Sequence, residues 1–169
     1  MPQIGMRQFM QQEFEQVLAG NQGRIKYIAS RYSQPHDFDD LYQEIVMQLW
    51  RSFASFKGHS SRETWLYQVA LNTASTFVTK TIKHRELQQV LAEIVKPESA
   101  VTQENCQADI LNKFMNTLSD IDSSILMMYL DGLSSDEIAS VVGISDNAVR
   151  LRIKRIKATF ENEFIGEKS

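Results

Sequence analysis

Five basic side chains fall within eight positions near the C-terminal end of this 169-residue chain: Arg150, Arg152, Lys154, Arg155 and Lys157. Ammonium and guanidinium groups at this density bind anions, and arginine also pairs bidentately with phosphate or with the edge of a guanine. The chain as a whole is acidic, with a formal charge of −3. The positive charge is therefore local, and we expect nucleic acid as its ligand; a solvated basic helix is the simpler alternative.

The residues just before this segment match a helix-turn-helix pattern. With Ser135 in its first position, Ala139 falls where the two helices nearly touch, and Gly143 falls where the turn favours positive φ. Ser145 is a suitable N-cap for the second helix. Arg150, Lys154 and Lys157 then share one face of that helix, with Arg155 beside it. A capped basic helix of this kind suits the major groove of DNA, so the pattern predicts DNA binding.

The elements that must position these residues are helical. Apolar residues recur with helical spacing, alternation is scarce, and the chain has only seven glycines and three prolines, so we predict an all-α fold. The third stripe shows the spacing clearly, with Phe38, Leu41, Ile45, Leu49 and Phe53. The predicted helices of the N-terminal half are 7–19, 24–33, 38–55 and 61–84. Four pairs of residues three positions apart are predicted to cap helices: Asp37 with Asp40, Ser60 with Glu63, Ser119 with Asp122, and Ser134 with Glu137. The helix that begins after Ser119 is expected to end at about Leu130.

The helical pattern fades between the two halves, where Pro97 and several glutamates stand among polar residues. It returns at Ile110, Phe114 and Leu118. We therefore predict two small helical domains, at 1–86 and 107–169, joined by a flexible linker at 87–106 that begins with a helical tail.

Cysteine content and hydropathy predict where the protein works. The single cysteine, Cys106, cannot form an internal disulfide, so a reducing compartment is expected. The first thirty residues lack the apolar core of a signal peptide, and no apolar run approaches the ~20 residues that a membrane span needs. We expect a soluble, cytoplasmic protein without membrane insertion.

Both halves carry motifs that together resemble the extracytoplasmic-function (ECF) sigma factors, the small two-domain members of the sigma-70 family. The N-terminal stretch "DFDDLYQEIVMQLWRSFASFKGHSSRETWLYQVALNTA" resembles region 2. The matching residues are Asp40, Leu41, Gln43, Glu44 and Trp50; Phe56, Lys57 and Gly58; and Thr64, Trp65, Leu66, Ala70 and Asn72. The C-terminal stretch "DGLSSDEIASVVGISDNAVRLRIKRIK" resembles region 4. The resemblance covers nearly the whole chain, with both motifs in the family's order.

The resemblance implies a transcription initiation factor that binds core RNA polymerase and directs it to the −10 and −35 elements of promoter DNA. The implied partners on the polymerase are the β′ clamp helices and the β flap, and an anti-sigma factor is expected as an inhibitor. The residues expected to face the clamp helices are Asp40, Gln43, Glu44, Gln48 and Trp50. The linker is expected to thread the RNA channel of the polymerase.

The same resemblance assigns residues to the two promoter elements. Melting requires capture of an unpaired base, and Trp65 is expected to be a core anchor rather than a stacking platform. The residues expected at the −10 element are Lys57, His59, Ser60, Ser61, Asn72 and Lys80. The −35 element would be read by Asp146, Asn147, Arg150, Leu151, Lys154 and Arg155, with Lys157 on phosphate.

Two other classes of protein would account for parts of the sequence. A stand-alone dimeric helix-turn-helix regulator would explain the C-terminal half, but it leaves the first 86 residues as an unspecified dimerisation or sensor domain. A metal phosphohydrolase would use His36 and Asp37, with His59 and His84 as further ligands; three widely spaced histidines do not suit such a site. We expect no enzymatic activity and no cofactor.

Overall fold

The computed structural model describes the backbone of residues 2–89 and 106–166, and the side chains of residues 5–85 and 110–166. Within these ranges the chain forms seven α-helices and one short 3-10 helix, with no strand. The all-α prediction is confirmed. The chain divides into two compact units, Met1–Ile82 and Lys83–Ser169. The predicted linker lies almost entirely outside the described residues.

The first unit contains helices α1 (Pro2–Tyr32) and α2 (Phe38–Phe53) and most of α3 (Arg62–Gln89). A 3-10 helix at Pro35–Asp37 leads into α2. The predicted stripe on α2 is confirmed, because Leu41, Ile45 and Leu49 are buried. They face a core that also takes side chains from α1 and α3: Phe14, Ile25, Ile28, Ala29, Leu66, Tyr67, Ala70 and Ala74.

A series of aromatic rings joins the three helices at one end of this core. Phe14 of α1 meets Trp50 and Phe53 of α2 edge-on, with ring centroids 5.1 and 5.4 Å apart. Trp65 of α3 lies 6.1 Å from Phe53 and 5.3 Å from Phe56. Trp65 is buried, which confirms its role as a core anchor. Such ring contacts add to the free energy of burial and fix where the three helices meet.

The prediction of two separate helices at 7–19 and 24–33 is wrong, because α1 runs through both. Gly20 and Gly23 lie between the two predicted segments, and each costs about 1 kcal/mol relative to alanine inside a helix. Burial of Phe14 before them and of Ile28 after them, on one continuous helix, outweighs that cost. Tertiary packing decides the outcome here, and local propensity does not.

Two predicted caps in the first unit also need correction. Asp37 precedes α2, but its side chain makes no capping hydrogen bond. Its backbone is already helical, with φ −100° and ψ −3°, whereas a capping side chain usually comes from extended backbone. The α3 cap is Ser61 rather than Ser60: Ser61 Oγ accepts from the amide of Thr64 at 3.1 Å.

The second unit contains α4 (Cys106–Thr117), α5 (Asp120–Leu130), α6 (Ser135–Val142) and α7 (Asp146–Phe164). The predicted cap of α5 is confirmed, with Ser119 Oγ accepting from the Asp122 amide at 3.2 Å. Side chains from all four helices meet in one core: Phe114, Ile125, Met128, Ile138, Val149 and Ile156.

The α4 stripe is only partly as predicted. Phe114 is buried and its ring meets Phe160 edge-on at 5.0 Å, but Ile110 is exposed. Phe160 and Phe164 stack on each other at 5.1 Å. The late turns of α7 therefore pack against α4 through phenylalanine rings, which leaves the early turns of α7 as its basic, exposed part.

Candidate nucleic-acid and partner-binding surfaces

The geometry between α6 and α7 follows from local rules that the sequence obeys. Ser134 and Glu137 form a reciprocal capping box, in which Ser134 Oγ accepts from the Glu137 amide at 3.2 Å and Glu137 Oε2 accepts from the Ser134 amide at 2.8 Å. Gly143 ends α6 in the left-handed region, with φ 78°. Ser145 Oγ then caps α7 by accepting from the Ala148 amide at 3.1 Å. All three predicted features are confirmed.

Packing against α5 and α6 fixes which face of α7 meets solvent. Ile138 of α6 and Val149 of α7 are fully buried, and Ile156 lies on the same inner face two turns after Val149. The opposite face is open: Asn147, Arg150, Leu151, Lys154, Arg155 and Lys157 are exposed, and Asp146 is half-buried. An exposed helix face that combines cations, an amide and an apolar side chain can contact phosphates, base edges and the methyl group of thymine.

Arg152 differs from the other four basic residues of this segment. Its Nη1 lies 2.7 Å from Asp122 Oδ1 on α5, and only 33% of its side chain is exposed. The pair links α7 to α5 inside the unit. The cluster of five cations seen in the sequence therefore presents four to solvent and uses one to hold the helix in place.

Two of the exposed cations are held by neighbouring side chains. Arg150 Nε donates to Ser135 Oγ at 3.2 Å, and its Nη2 lies 2.9 Å from Asp146 Oδ2. Lys157 Nζ donates to the hydroxyl of Tyr129 and lies 4.4 Å from the centroid of that ring. The sequence did not predict the contacts of Ser135 with Arg150 or of Tyr129 with Lys157, because residues 15 and 28 positions apart meet only once the helices pack.

In the first unit, α2 and α3 form the two walls of an open groove of about 740 Å³. The α2 wall carries Asp40, Gln43, Glu44 and Gln48, and Glu44 accepts from the Gln48 amide group at 2.8 Å. The residues of the α3 wall are Asn72, Thr73, Thr76, Phe77 and Lys80. Side chains that were predicted to serve polymerase and DNA separately thus line one groove.

The loop before α3 presents the remaining −10 candidates. Lys57, His59, Ser60 and Ser61 are all exposed, and none of them lines the groove. Gly58, between the first two, has φ 72°, a conformation that other residues rarely adopt. Ser61 Oγ is already engaged as the α3 cap, and it also lies 2.8 Å from Thr64 Oγ1.

Trp50 belongs to a second, apolar groove between α1 and α2. Trp50 is 43% exposed, although its ring packs on Phe14. The other lining residues are Leu18, Tyr42, Gln43, Val46 and Met47. Met47 lines both grooves, one turn after Gln43 on the same helix face. Its position one turn after Gln43 could have added Met47 to the candidate residues for polymerase binding.

The described residues show no grouping of three or more His, Cys, Asp or Glu side chains that could hold a metal ion. His36 Nε2 lies 3.3 Å from Asp37 Oδ2, a contact between adjacent residues on the surface. None of the helices formed by the described residues is long and apolar enough to cross a membrane.

Comparison with known proteins finds two family matches that together take in most of the chain. The model of sigma-70 region 2 matches residues 18–84, and that of sigma-70 region 4 matches residues 108–160. The chain is also similar to the ECF RNA polymerase sigma-E factor of Haemophilus influenzae, at 27% identity over 89% of this chain and 86% of the relative. The sigma-E factor of Escherichia coli strain K12 is 28% identical over 90% of this chain and 87% of that protein.

Solved structures share the fold. The sigma factor RpoE of Bartonella quintana, in complex with the anti-sigma factor NepR, matches with a TM-score of 0.65 at 19% identity, over 89% of this chain and 95% of that one. CnrH, in complex with the cytosolic domain of CnrY, matches with a TM-score of 0.56 at 22% identity, over 94% of this chain and 91% of that one.

Proposed function

Because this chain belongs to the ECF branch of the sigma-70 family, we propose how its surfaces divide the work of transcription initiation. Members of the family bind bacterial core RNA polymerase and direct it to promoter DNA, and this is the function of the chain. The region 2 match over residues 18–84 accounts for the half that a stand-alone regulator would leave unexplained. On this proposal the polymerase carries out the chemistry of RNA synthesis, and we expect the chain to act beside it in the cytoplasm.

The α2 wall of the groove is our candidate for the polymerase contact. Asp40 and Gln43 are exposed there, and Glu44 and Gln48 follow Asp40 at successive turns of the same helix. Carboxylates and amides on one helix face suit an arginine-bearing partner helix, such as a β′ clamp helix. Trp50 supplies apolar area at the end of this face, with its inner edge fixed by Phe14. We assign the β flap as the partner of the second unit on the resemblance alone.

The α3 wall and the preceding loop are our candidates for the −10 element. Asn72 is exposed in the groove and has both a donor and an acceptor for a base edge. Lys80 lies two turns farther along the same wall, where it can meet phosphate. Lys57, His59 and Ser60 add polar groups on the loop; Ser61 contributes mainly by starting the helix.

The basic face of α7 is our candidate for reading the −35 element. Arg150 and Leu151 lie in the second turn after the Ser145 cap, with Asn147 in the first turn. Side chains near the start of a recognition helix reach base edges. Lys154, Arg155 and Lys157 lie farther along, where the helix leaves the groove and phosphates are nearer. The single observation that carries the DNA assignment is this exposed basic face on a capped second helix.

An inhibitor is also expected. One of the solved structures with this fold holds a sigma factor with the anti-sigma factor NepR, and another holds CnrH with the cytosolic domain of CnrY. We propose that an anti-sigma factor covers the α2 wall of this chain, since an inhibitor that occupies the polymerase contact prevents initiation directly.

The test uses purified core polymerase and run-off transcription on a genomic library, which also yields the promoter sequence. Glu44→Lys should abolish holoenzyme formation, because it turns an attractive contact into a repulsive one; Glu15→Lys, an equal change on the exposed face of α1, should not. Asn72→Ala should leave holoenzyme formation intact and weaken open-complex formation by about 1–3 kcal/mol. Gln68→Ala, at an exposed α3 position outside the groove, is its control.

Two results would contradict the assignments. Normal holoenzyme formation by the Glu44 variant would remove the α2 wall from the polymerase contact. Equal losses of polymerase binding and melting in the Asn72 variant would mean that the groove has one occupant rather than two.

A further inference from the structure

The guanidinium of Arg150 is held from two helices at once. Its Nε donates to Ser135 Oγ, the first residue of α6, at 3.2 Å. Its Nη2 lies 2.9 Å from Asp146 Oδ2, one turn earlier on α7. The acid stands on the N-terminal side of the base at a spacing of four residues, the favourable order for such a pair on a helix.

These contacts leave the outer part of the guanidinium open. Arg150 is 65% exposed, and its Nη1 has no hydrogen-bond partner among residues 5–85 and 110–166. A guanine presents N7 and O6 as two adjacent acceptors in the major groove, and arginine meets them with two parallel N–H groups. The two protein contacts thus occupy one side of the guanidinium group and leave the other side open to a base.

Asp146 does not turn its own carboxylate outward. Oδ2 faces Arg150, while Oδ1 is buried and has no hydrogen-bond partner within the described residues. A carboxylate can accept from the amino group of cytosine, but here Oδ1 is buried and Oδ2 lies 2.9 Å from the arginine. This placement suits a residue that acts through Arg150.

We propose that Asp146 and Ser135 are positioning residues that fix the Arg150 guanidinium so that it reads a guanine in the −35 element. The proposal rests on the assignment of α7 as the −35 reader and deepens it by naming the base and the source of its selection. It applies to base readout only, since phosphate contacts elsewhere on α7 do not need a guanidinium group held in one orientation.

The physical reason is a trade between affinity and specificity. A free arginine side chain samples many rotamers, and it can pair with phosphates or with other bases nearby. A fixed guanidinium loses less entropy when it meets guanine, and its geometry excludes the alternatives. The cost is a carboxylate close to DNA, which repels every sequence alike. Removing the acid should therefore weaken discrimination without weakening non-specific binding.

The experiment uses the full chain assembled with core polymerase. A duplex library with every −35 position randomised is bound, and the bound and free pools are sequenced. Asp146→Asn should reduce the preference for guanine at one position by about three- to tenfold, while affinity for scrambled DNA stays equal or rises. Ser135→Ala should reduce the same preference by less, because it removes a neutral acceptor.

The control matches the change of charge. Asp136→Asn removes an exposed carboxylate from the first turn of α6, where it makes no described contact with Arg150. It should raise affinity for all sequences slightly and leave every base preference unchanged. Thermal unfolding of each variant shows whether the fold is retained.

Arg150→Ala and the double variant separate the possible failures. If Arg150→Ala leaves all −35 preferences intact, the assignment of α7 as reader fails. If Arg150→Ala removes a guanine preference but Asp146→Asn does not, only the positioning role is overturned. It is also overturned if Asp146→Asn still shifts preference in the Arg150→Ala background, since Asp146 would then read a base itself, or if it weakens cognate and scrambled DNA equally.

Discussion

Replacing Arg152 should lower the stability of the second unit, whereas replacing the exposed basic residues beside it should weaken DNA binding. Its pair with Asp122 joins α7 to α5 at 2.7 Å, with the two side chains 33% and 28% exposed. Exposed ion pairs contribute up to about 1 kcal/mol, and hydrogen bonds to charged groups that are withdrawn from water contribute about 1.5–3 kcal/mol. This pair is intermediate in burial, so Arg152→Ala should lower the free energy of unfolding of the second unit by roughly 1–2 kcal/mol.

Thermal unfolding followed by far-UV circular dichroism measures that change. A loss of this size lowers the midpoint of a unit of 60–100 residues by about 4–8 °C per kcal/mol. Lys154→Ala is the matched control, since Lys154 is an exposed cation two positions away with no described partner. Its stability should stay within about 0.5 kcal/mol of the parent. The double variant with Asp122→Asn should cost little more than Arg152→Ala alone, because the two changes remove the same contact.

In promoter binding by the holoenzyme, Lys154→Ala should have the larger effect and Arg152→Ala the smaller one. Lys154→Ala should reduce the slope of log affinity against log salt by about one unit, as expected for a lost phosphate contact. Arg152→Ala should leave the slope unchanged, because its charge is neutralised inside the protein. If Arg152→Ala lowers the salt slope and leaves the unfolding midpoint unchanged, the Asp122 pair does not hold this side chain in solution.

Three further changes test the backbone and the caps by urea unfolding. Gly143→Ala should cost about 1–2 kcal/mol from backbone strain alone, since φ is 78° and an added Cβ meets nothing within 4 Å; an unchanged midpoint would mean that the turn relaxes. Gly20→Ala should instead stabilise by about 1 kcal/mol, because α1 is continuous there; a loss would indicate a break in α1. Ser61→Ala should cost about 1 kcal/mol and Ser60→Ala almost nothing; a loss in Ser60→Ala and none in Ser61→Ala would return the cap to Ser60.

The features of the second unit that the sequence predicted are those set by interactions between residues close together in the chain. The Ser134 box, the Gly143 turn and the Ser145 cap each depend on residues three or four positions apart, and all are present. Packing between distant segments accounts for what it could not predict. Arg152 looks like any other member of a basic run until Asp122, 30 residues earlier, comes within 2.7 Å.

The first unit shows the same division between local and tertiary effects. The α2 stripe was predictable because a single helix face is periodic. The continuity of α1 depended on burial on both sides of two glycines, which no local pattern reports. The shared groove could not be predicted either, since Asp40 and Asn72 belong to different motifs and line one groove only in the folded unit.

The shared groove has a consequence for the order of events in initiation. Its α2 wall carries Asp40 and Glu44, and its α3 wall carries the amide that we assign to base capture. Carboxylates across the groove repel a nucleic-acid backbone that approaches Asn72. A basic partner helix seated on the α2 wall would neutralise them and leave the α3 wall accessible. On our assignments, then, polymerase binding makes the −10 surface competent for DNA, so the acidity of this groove disfavours promoter melting by the free chain.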